Sequence, residues 1–214
     1  MTVRFSSALS ACAKAPRFVR DHTRASAAIA AATAVAGLSA AGAATAAAPA
    51  ASPAVHATVA SAVTAGKPYD IYDSVSPSQV PAGQPLATYA DGPYAASAHQ
   101  AAGHGKVVWI DTNGSDPKAS ALDVEPGDAT PAGAAHWVQQ KLTASPHATA
   151  IVYTMQSEWP QVKAAINALP SSMTSHVKYW VADPTGTPHM VPGASATQWY
   201  WGSSYDISTA QPGF

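Results

Sequence analysis

The stretch Ala121-Leu122-Asp123-Val124-Glu125-Pro126-Gly127-Asp128 decides how the chain is read. It has the pattern of a short buried strand that ends in two carboxylates. Residues two apart on a strand point to the same side, so Asp123 and Glu125 share one face while Leu122 and Val124 take the other. Two acids on one face repel, and burying them is costly unless they are paired or protonated. General acid catalysis uses such crowding, because it raises one carboxyl pKa toward neutrality. Taken alone, the triplet also fits a strand end with two solvated acids beside a turn, and Asp128 reads as a turn or helix N-terminal residue.

The surroundings of this stretch alternate strands with helices. Tyr69–Asp73 reads as a first strand, Leu86–Tyr89 as a second, Lys106–Asp111 as a third and Ala121–Glu125 as the fourth. Ala150–Thr154, Val177–Ala182, Ala196–Tyr200 and Tyr205–Ser208 follow as strands five to eight. Three helices are expected. The first spans Tyr94–Ala102. The second is capped by Thr130, takes Pro131 in its first turn and ends near Thr143, with Ala134, Trp137, Val138 and Leu142 facing inward. The third is capped by Ser157 and spans Glu158–Leu169. Such alternation predicts a parallel α/β sheet. Eight strands predict closure into a shortened (β/α) barrel of the TIM type with about half its helices missing, since nearly 150 residues is short for the full fold. An open α/β sheet is the alternative.

Acids recur at the ends of these strands: Asp73, Asp111, Asp123, Glu125, Asp183 and Asp206. That end carries the site in parallel α/β folds. Asp111 and Asp183 also suit turns. Aromatic residues stand beside the acids: Tyr72, Tyr89, Trp109, Tyr153, Trp180, Trp199 and Trp201. They suit stacking on sugar rings, and each suits core packing as well.

Composition divides the chain. All four arginines, Arg4, Arg17, Arg20 and Arg24, precede an alanine-rich run without charge from Ala25 to Val55. A basic segment, an apolar run and small residues make residues 1–57 an expected secretory leader, with an uncleaved membrane anchor as the alternative. Residues from about 47 to 66 read as leader remnant or linker. The only cysteine, Cys12, lies in the leader, so the exported part has no disulfide framework and no cysteine nucleophile. From Thr58 on there are six lysines, no arginine and eleven acids, a net charge of −5 with histidine neutral. That balance argues against a nucleic-acid partner. The eight histidines form no His-x-x-x-His or His-x-His pair, and no metal or other cofactor is expected. All tryptophans and tyrosines fall within 67–214, which reads as one globular, monomeric domain.

Four segments in order resemble family 25 glycoside hydrolases, the lysozyme-type muramidases of bacteria and phage. They are Tyr72-Asp73-Ser74, Leu122-Asp123-Val124-Glu125, Tyr179-Trp180-Val181-Ala182, and Thr197-Gln198-Trp199-Tyr200 followed by Tyr205-Asp206-Ile207-Ser208. The first strand departs from the family's longer Gly-x-Asp-Val-Ser-x-x-Gln pattern, and the chain is shorter than a full member. The resemblance implies a secreted enzyme acting on peptidoglycan, the β-1,4 bond between N-acetylmuramic acid and N-acetylglucosamine being cut. It implies Glu125 as general acid, Asp123 as stabiliser of developing positive charge or of the N-acetyl group, and Asp73 and Asp206 as residues that hold water or substrate. It implies Tyr72, Tyr89, Trp109, Tyr153, Trp180 and Trp199 as sugar-binding residues. A non-catalytic carbohydrate binder and a structural envelope protein on the same scaffold are the competing readings. The composition break itself makes a prediction: limited proteolysis should leave a resistant fragment that starts between about 50 and 68. Early cutting within 120–200 would contradict it.

Overall fold

The structure is a computed structural model that describes residues 66–214. The leader expected over residues 1–57 lies outside the described residues. Eight strands close into a barrel in chain order: β1 (Tyr69–Asp73), β2 (Leu86–Tyr89), β3 (Val107–Asp111), β4 (Ala121–Val124), β5 (Ala150–Met155), β6 (Val177–Ala182), β7 (Ala196–Tyr200) and β8 (Asp206–Ala210). The chain is a shortened α/β barrel. Neighbours from β1 to β7 are parallel. β8 runs antiparallel to both β7 and β1, which corrects the expectation of an all-parallel sheet. The cause is the connection: only residues 201–205 separate β7 from β8. A parallel crossover needs roughly a dozen residues or more, whereas antiparallel strands join through a short turn.

Helices follow only β4 and β5: α1 (Pro131–Ala144), α2 (Trp159–Asn167) and the single turn α3 (Ser171–Thr174). Thr130 caps α1 by accepting the Gly133 N–H at 3.1 Å. The helix expected over Tyr94–Ala102 is absent. A 3₁₀ turn at Gly92–Tyr94 and further turns replace it. The Ala96 N–H bonds to the Tyr89 carbonyl at the end of β2, and Gly103 at φ +88° ends the segment. Too few residues remain between these anchors to repay helix nucleation. Ser157 does not cap α2. Glu158 holds the cap position with no side-chain bond, its own N–H taken by the Met155 carbonyl.

Strand alternation builds two cores. Inside the barrel lie Ile71, Val108, Ile110, Ile151, Tyr153, Trp180 and Phe214, with Ala87, Ala121, Ala182, Ala196 and Ala210 between them. Eight strands leave an interior that side chains can just fill. The alanines make room for Trp180, which packs edge-on against Tyr153 and Phe214 at centroid distances of 5.0 and 5.9 Å. Its indole N–H donates to Ser208 Oγ at 2.8 Å. The second core lies between the barrel and the helices. There Leu122, Val124 and Val152 meet Trp137, Val138, Leu142, Val162 and Ile166. The four inward positions expected for α1 are all buried. Among the described residues, no helix is long and apolar enough to cross a membrane.

Trp180 is fully buried and fills the interior between alanines. Trp180→Ala should cost about 3–5 kcal/mol in urea unfolding, through the cavity and the orphaned Ser208 hydroxyl. A loss below about 1 kcal/mol would contradict this packing.

Candidate active site

The C-terminal ends of β1 to β7 and the N-terminal end of antiparallel β8 meet at one end of the barrel. Asp73 closes β1 and Asp206 opens β8, and the two are direct register partners. Like charges directly opposite on a sheet are unfavourable, so both need supporting donors. Asp206 accepts the Gly202 N–H at 2.9 Å. Only glycine fits there, because a Cβ at Gly202 would collide with the Tyr205 carbonyl and the Tyr200 ring. Asp73 is buried and lies 3.5 Å from the Gln198 amide nitrogen, which donates to it. The adjoining loop is tied across the same seam, with Ser74 Oγ donating to the Ser204 carbonyl at 2.7 Å.

Asp123 and Glu125 are buried, at 1% and 8% exposure. Pro126 and Gly127 turn the chain immediately after them. Gly127 adopts φ +102°, and the Asp128 N–H closes the turn on the Glu125 carbonyl at 3.0 Å. This brings the Asp128 carboxylate back onto the pair. Carboxylate oxygens of Asp123, Glu125 and Asp128 all lie within 4.8 Å of one another. Asp128 thus sits in its expected turn, and its side chain joins the acids. The trio has a spacing that suits a hard cation. Nothing beyond the acids themselves points to one.

Gln198 links the two groups of acids, and the strand pattern alone did not single it out. It is fully buried on β7. Its Oε1 accepts from Tyr153 Oη at 2.8 Å and from Trp201 Nε1 at 2.6 Å, while its Nε2 faces Asp73. Tyr153 is in turn the register partner of Asp123. Hydrogen bonds therefore join Asp73, Gln198 and Tyr153, while Asp206 and Asp123 stand beside Asp73 and Tyr153 as register partners on the neighbouring strands. A polar residue in phase with the inward alanine of β7, Ala196, was the available signal.

The aromatic residues divide by strand phase. Tyr89, Tyr153 and Trp180 belong to the barrel interior. Tyr72 and Trp109 lie on the outer face, packed with Val80, Leu86 and Ala101. Trp199 also leaves the interior, its indole N–H donating to Thr209 Oγ1 at 3.1 Å. These three alternate with inward-facing neighbours, so they do not wall the acid end from within. The exposed aromatics are instead Tyr94, beyond β2, and Tyr200, at the end of β7.

Asp111 and Asp183 serve the loops. Asp111 is fully buried and accepts the N–H groups of Asn113, Gly114 and Asp116 at 2.7–3.0 Å. Asp183 pairs with His189 Nε2 at 3.0 Å, while His189 Nδ1 lies 2.9 Å from the Thr187 carbonyl. Acceptors at both ring nitrogens favour imidazolium. The Thr187 carbonyl, with Asp183 adding to it, holds the His189 pKa above its ordinary value against a smaller opposing effect of burial.

Comparison with family models, curated proteins and solved structures finds no match for this chain. The site is therefore read from its own chemistry.

A raised folded-state pKa means that the folded chain holds a proton the unfolded chain gives up. The Asp183–His189 contribution is then full below about pH 6.5 and fades as pH climbs through the folded value. The melting-temperature gap between the wild type and His189→Ala should be wider at about pH 5.5 than at about pH 8.5. An equal or reversed gap would contradict the pairing.

Proposed function

We propose that the acid-lined end of the barrel hydrolyses a β-1,4 glycosidic bond of peptidoglycan, as a compact relative of the family 25 muramidases would. The observation that carries this reading is the gathering of Asp73, Asp123, Glu125 and Asp206 at one end. The first three are buried, and Gln198 bonds Asp73 to Tyr153, the register partner of Asp123.

Glu125 is the general acid in this reading. It gives its proton to the glycosidic oxygen as the bond from that oxygen to the anomeric carbon breaks. A general acid must hold its proton in the resting enzyme, and like-charged neighbours favour the protonated form of one member of a group. Asp123 faces the positive charge that develops at the sugar, or holds the substrate's N-acetyl group while its carbonyl oxygen attacks the anomeric carbon. Water then attacks, and the Glu125 carboxylate takes back a proton from it. Carboxylate oxygens of Asp123 and Glu125 lie within 4.8 Å of each other, a closeness that fits a retaining mechanism better than an inverting one, whose carboxyl groups stand roughly 6.5–9.5 Å apart. Tyr94 and Tyr200 are exposed near this end and offer faces for sugar stacking. Export from the cell fits a wall substrate and belongs to the same proposal.

Release of reducing ends from purified peptidoglycan tests the proposal. Glu125→Gln should lower the rate by about 10²–10⁴-fold while leaving saccharide binding in place. Glu125→Gln replaces a carboxyl that its crowded neighbours force to hold a proton, so it should keep or raise the melting temperature at pH 7. Undiminished release would take Glu125 out of its role. A wild type that binds peptidoglycan fragments without cutting them would make the protein a binder.

A further inference from the structure

The barrel's opposite end gathers lysines: five of the six beyond residue 58 stand there, with Asp70, Asp116 and the Phe214 carboxylate offsetting part of their charge. Lys67 precedes β1. Lys106 precedes β3, Lys118 precedes β4, Lys178 is the second residue of β6, and Lys141 lies in the last turn of α1. Lys106, Lys118 and Lys141 line a cavity of about 280 Å³ together with Ser120, Thr149 and Phe214, whose α-carboxylate is the one acidic group among the lining residues. Its size is near the lower end of small-ligand sites, roughly 300–1,000 Å³.

Main-chain oxygens orient these cations, and the one that Lys106 meets belongs to the Phe214 α-carboxylate. Lys141 is only 8% exposed and donates to the Pro117 and Ala119 carbonyls at 3.2 and 2.6 Å. Lys106 donates to the Phe214 main-chain oxygen and to Tyr69 Oη at 3.3 Å. Lys178 donates to the Gly213 carbonyl. An ammonium has three N–H donors, so each of these keeps at least one more. Burial holds the Lys141 pKa below its ordinary value, with Asp116 opposing in part. Burial, and then the charge of Lys106, does the same to Lys178. Positive charges outnumber the Phe214 carboxylate and Asp116 in this cluster, on a domain whose net charge is negative. An anion in the cavity would relieve both the repulsion and the desolvation cost.

We propose that this cavity binds a phosphate group, as a free phosphate or within a phosphodiester. Lys106, Lys118 and Lys141 supply the charge, and the hydroxyls of Ser120 and Thr149 are available as further donors. Three compact point charges around one small volume suit a multivalent tetrahedral anion. The site lies away from the acids and does not depend on the reaction proposed for them.

The test is a titration of the ¹⁵N-labelled full chain, followed by amide shifts, at constant ionic strength set with sodium chloride. One arm adds inorganic phosphate and the other a glycerophosphodiester. Saturable shifts at residues 106, 118–120, 149–151 and 213–214 are expected in at least one arm, and the tighter anion identifies the source. Lys118 is exposed and safe to replace, so Lys118→Gln should weaken binding about three- to five-fold. Lys163→Gln removes the same charge from α2, outside the cavity, and should leave binding unchanged. Shifts no larger than those from chloride would overturn the proposal, and so would equal weakening in both variants.

Discussion

The site depends on the direction of one strand. β8 closes the barrel by running against both its neighbours, and this places Asp206 opposite Asp73 at the end where β4 delivers Asp123 and Glu125. A parallel β8 would put Asp206 at the far end, beside the lysines. The pairing is electrostatically unfavourable in itself, since two carboxylates face each other across a ladder. Its support is local. The Gly202 N–H meets Asp206, and the Gln198 amide faces Asp73. Both donors come from β7 or from the short turn that reverses the chain, so the device that closes the barrel also steadies its acids.

Packing beneath the acids fixes their platform. Trp180 fills the interior among alanines, and Tyr153 stands against it with its hydroxyl on Gln198. The aromatics of the interior thus act below the acids as filler and hydrogen-bond donors. Tyr94 and Tyr200 are the aromatic faces left to solvent. A domain with helices after only two strands keeps a closed core because the second core under α1 and α2 covers β4 and β5, the strands that lead to Asp123 and Glu125.

Much of this was legible in the sequence, for physical reasons. All eight strands were readable because each carries a short apolar or alternating run between turn residues. α1 was readable because Thr130, Pro131 and the spacing of Ala134, Trp137, Val138 and Leu142 agree. The alternation of Leu122 and Val124 with Asp123 and Glu125 matches their burial on opposite sides of β4. The antiparallel β8 was legible in principle from the short gap after Tyr200, but strand–helix alternation pointed to a uniform sheet. The false helix at Tyr94–Ala102 shows alanine propensity losing to a hydrogen bond that pins Ala96 to the end of β2. Tyr72, Trp109 and Trp199 stand next to the acids in sequence, yet one residue along a strand reverses the face. Asp128 and Gln198 were hidden for another reason. One reaches the acids through a turn at Gly127, and the other connects across strands distant in sequence.

In the proposed reaction a polysaccharide lies across this end with its scissile oxygen at Glu125. A crystal structure of Glu125→Gln with a peptidoglycan tetrasaccharide tests it most directly. A glycosidic oxygen is expected within about 3.2 Å of the residue 125 side chain, with the N-acetyl group of the sugar being cut against Asp123. A saccharide bound at the other end of the barrel, or at this end with no glycosidic oxygen near residue 125, would contradict it.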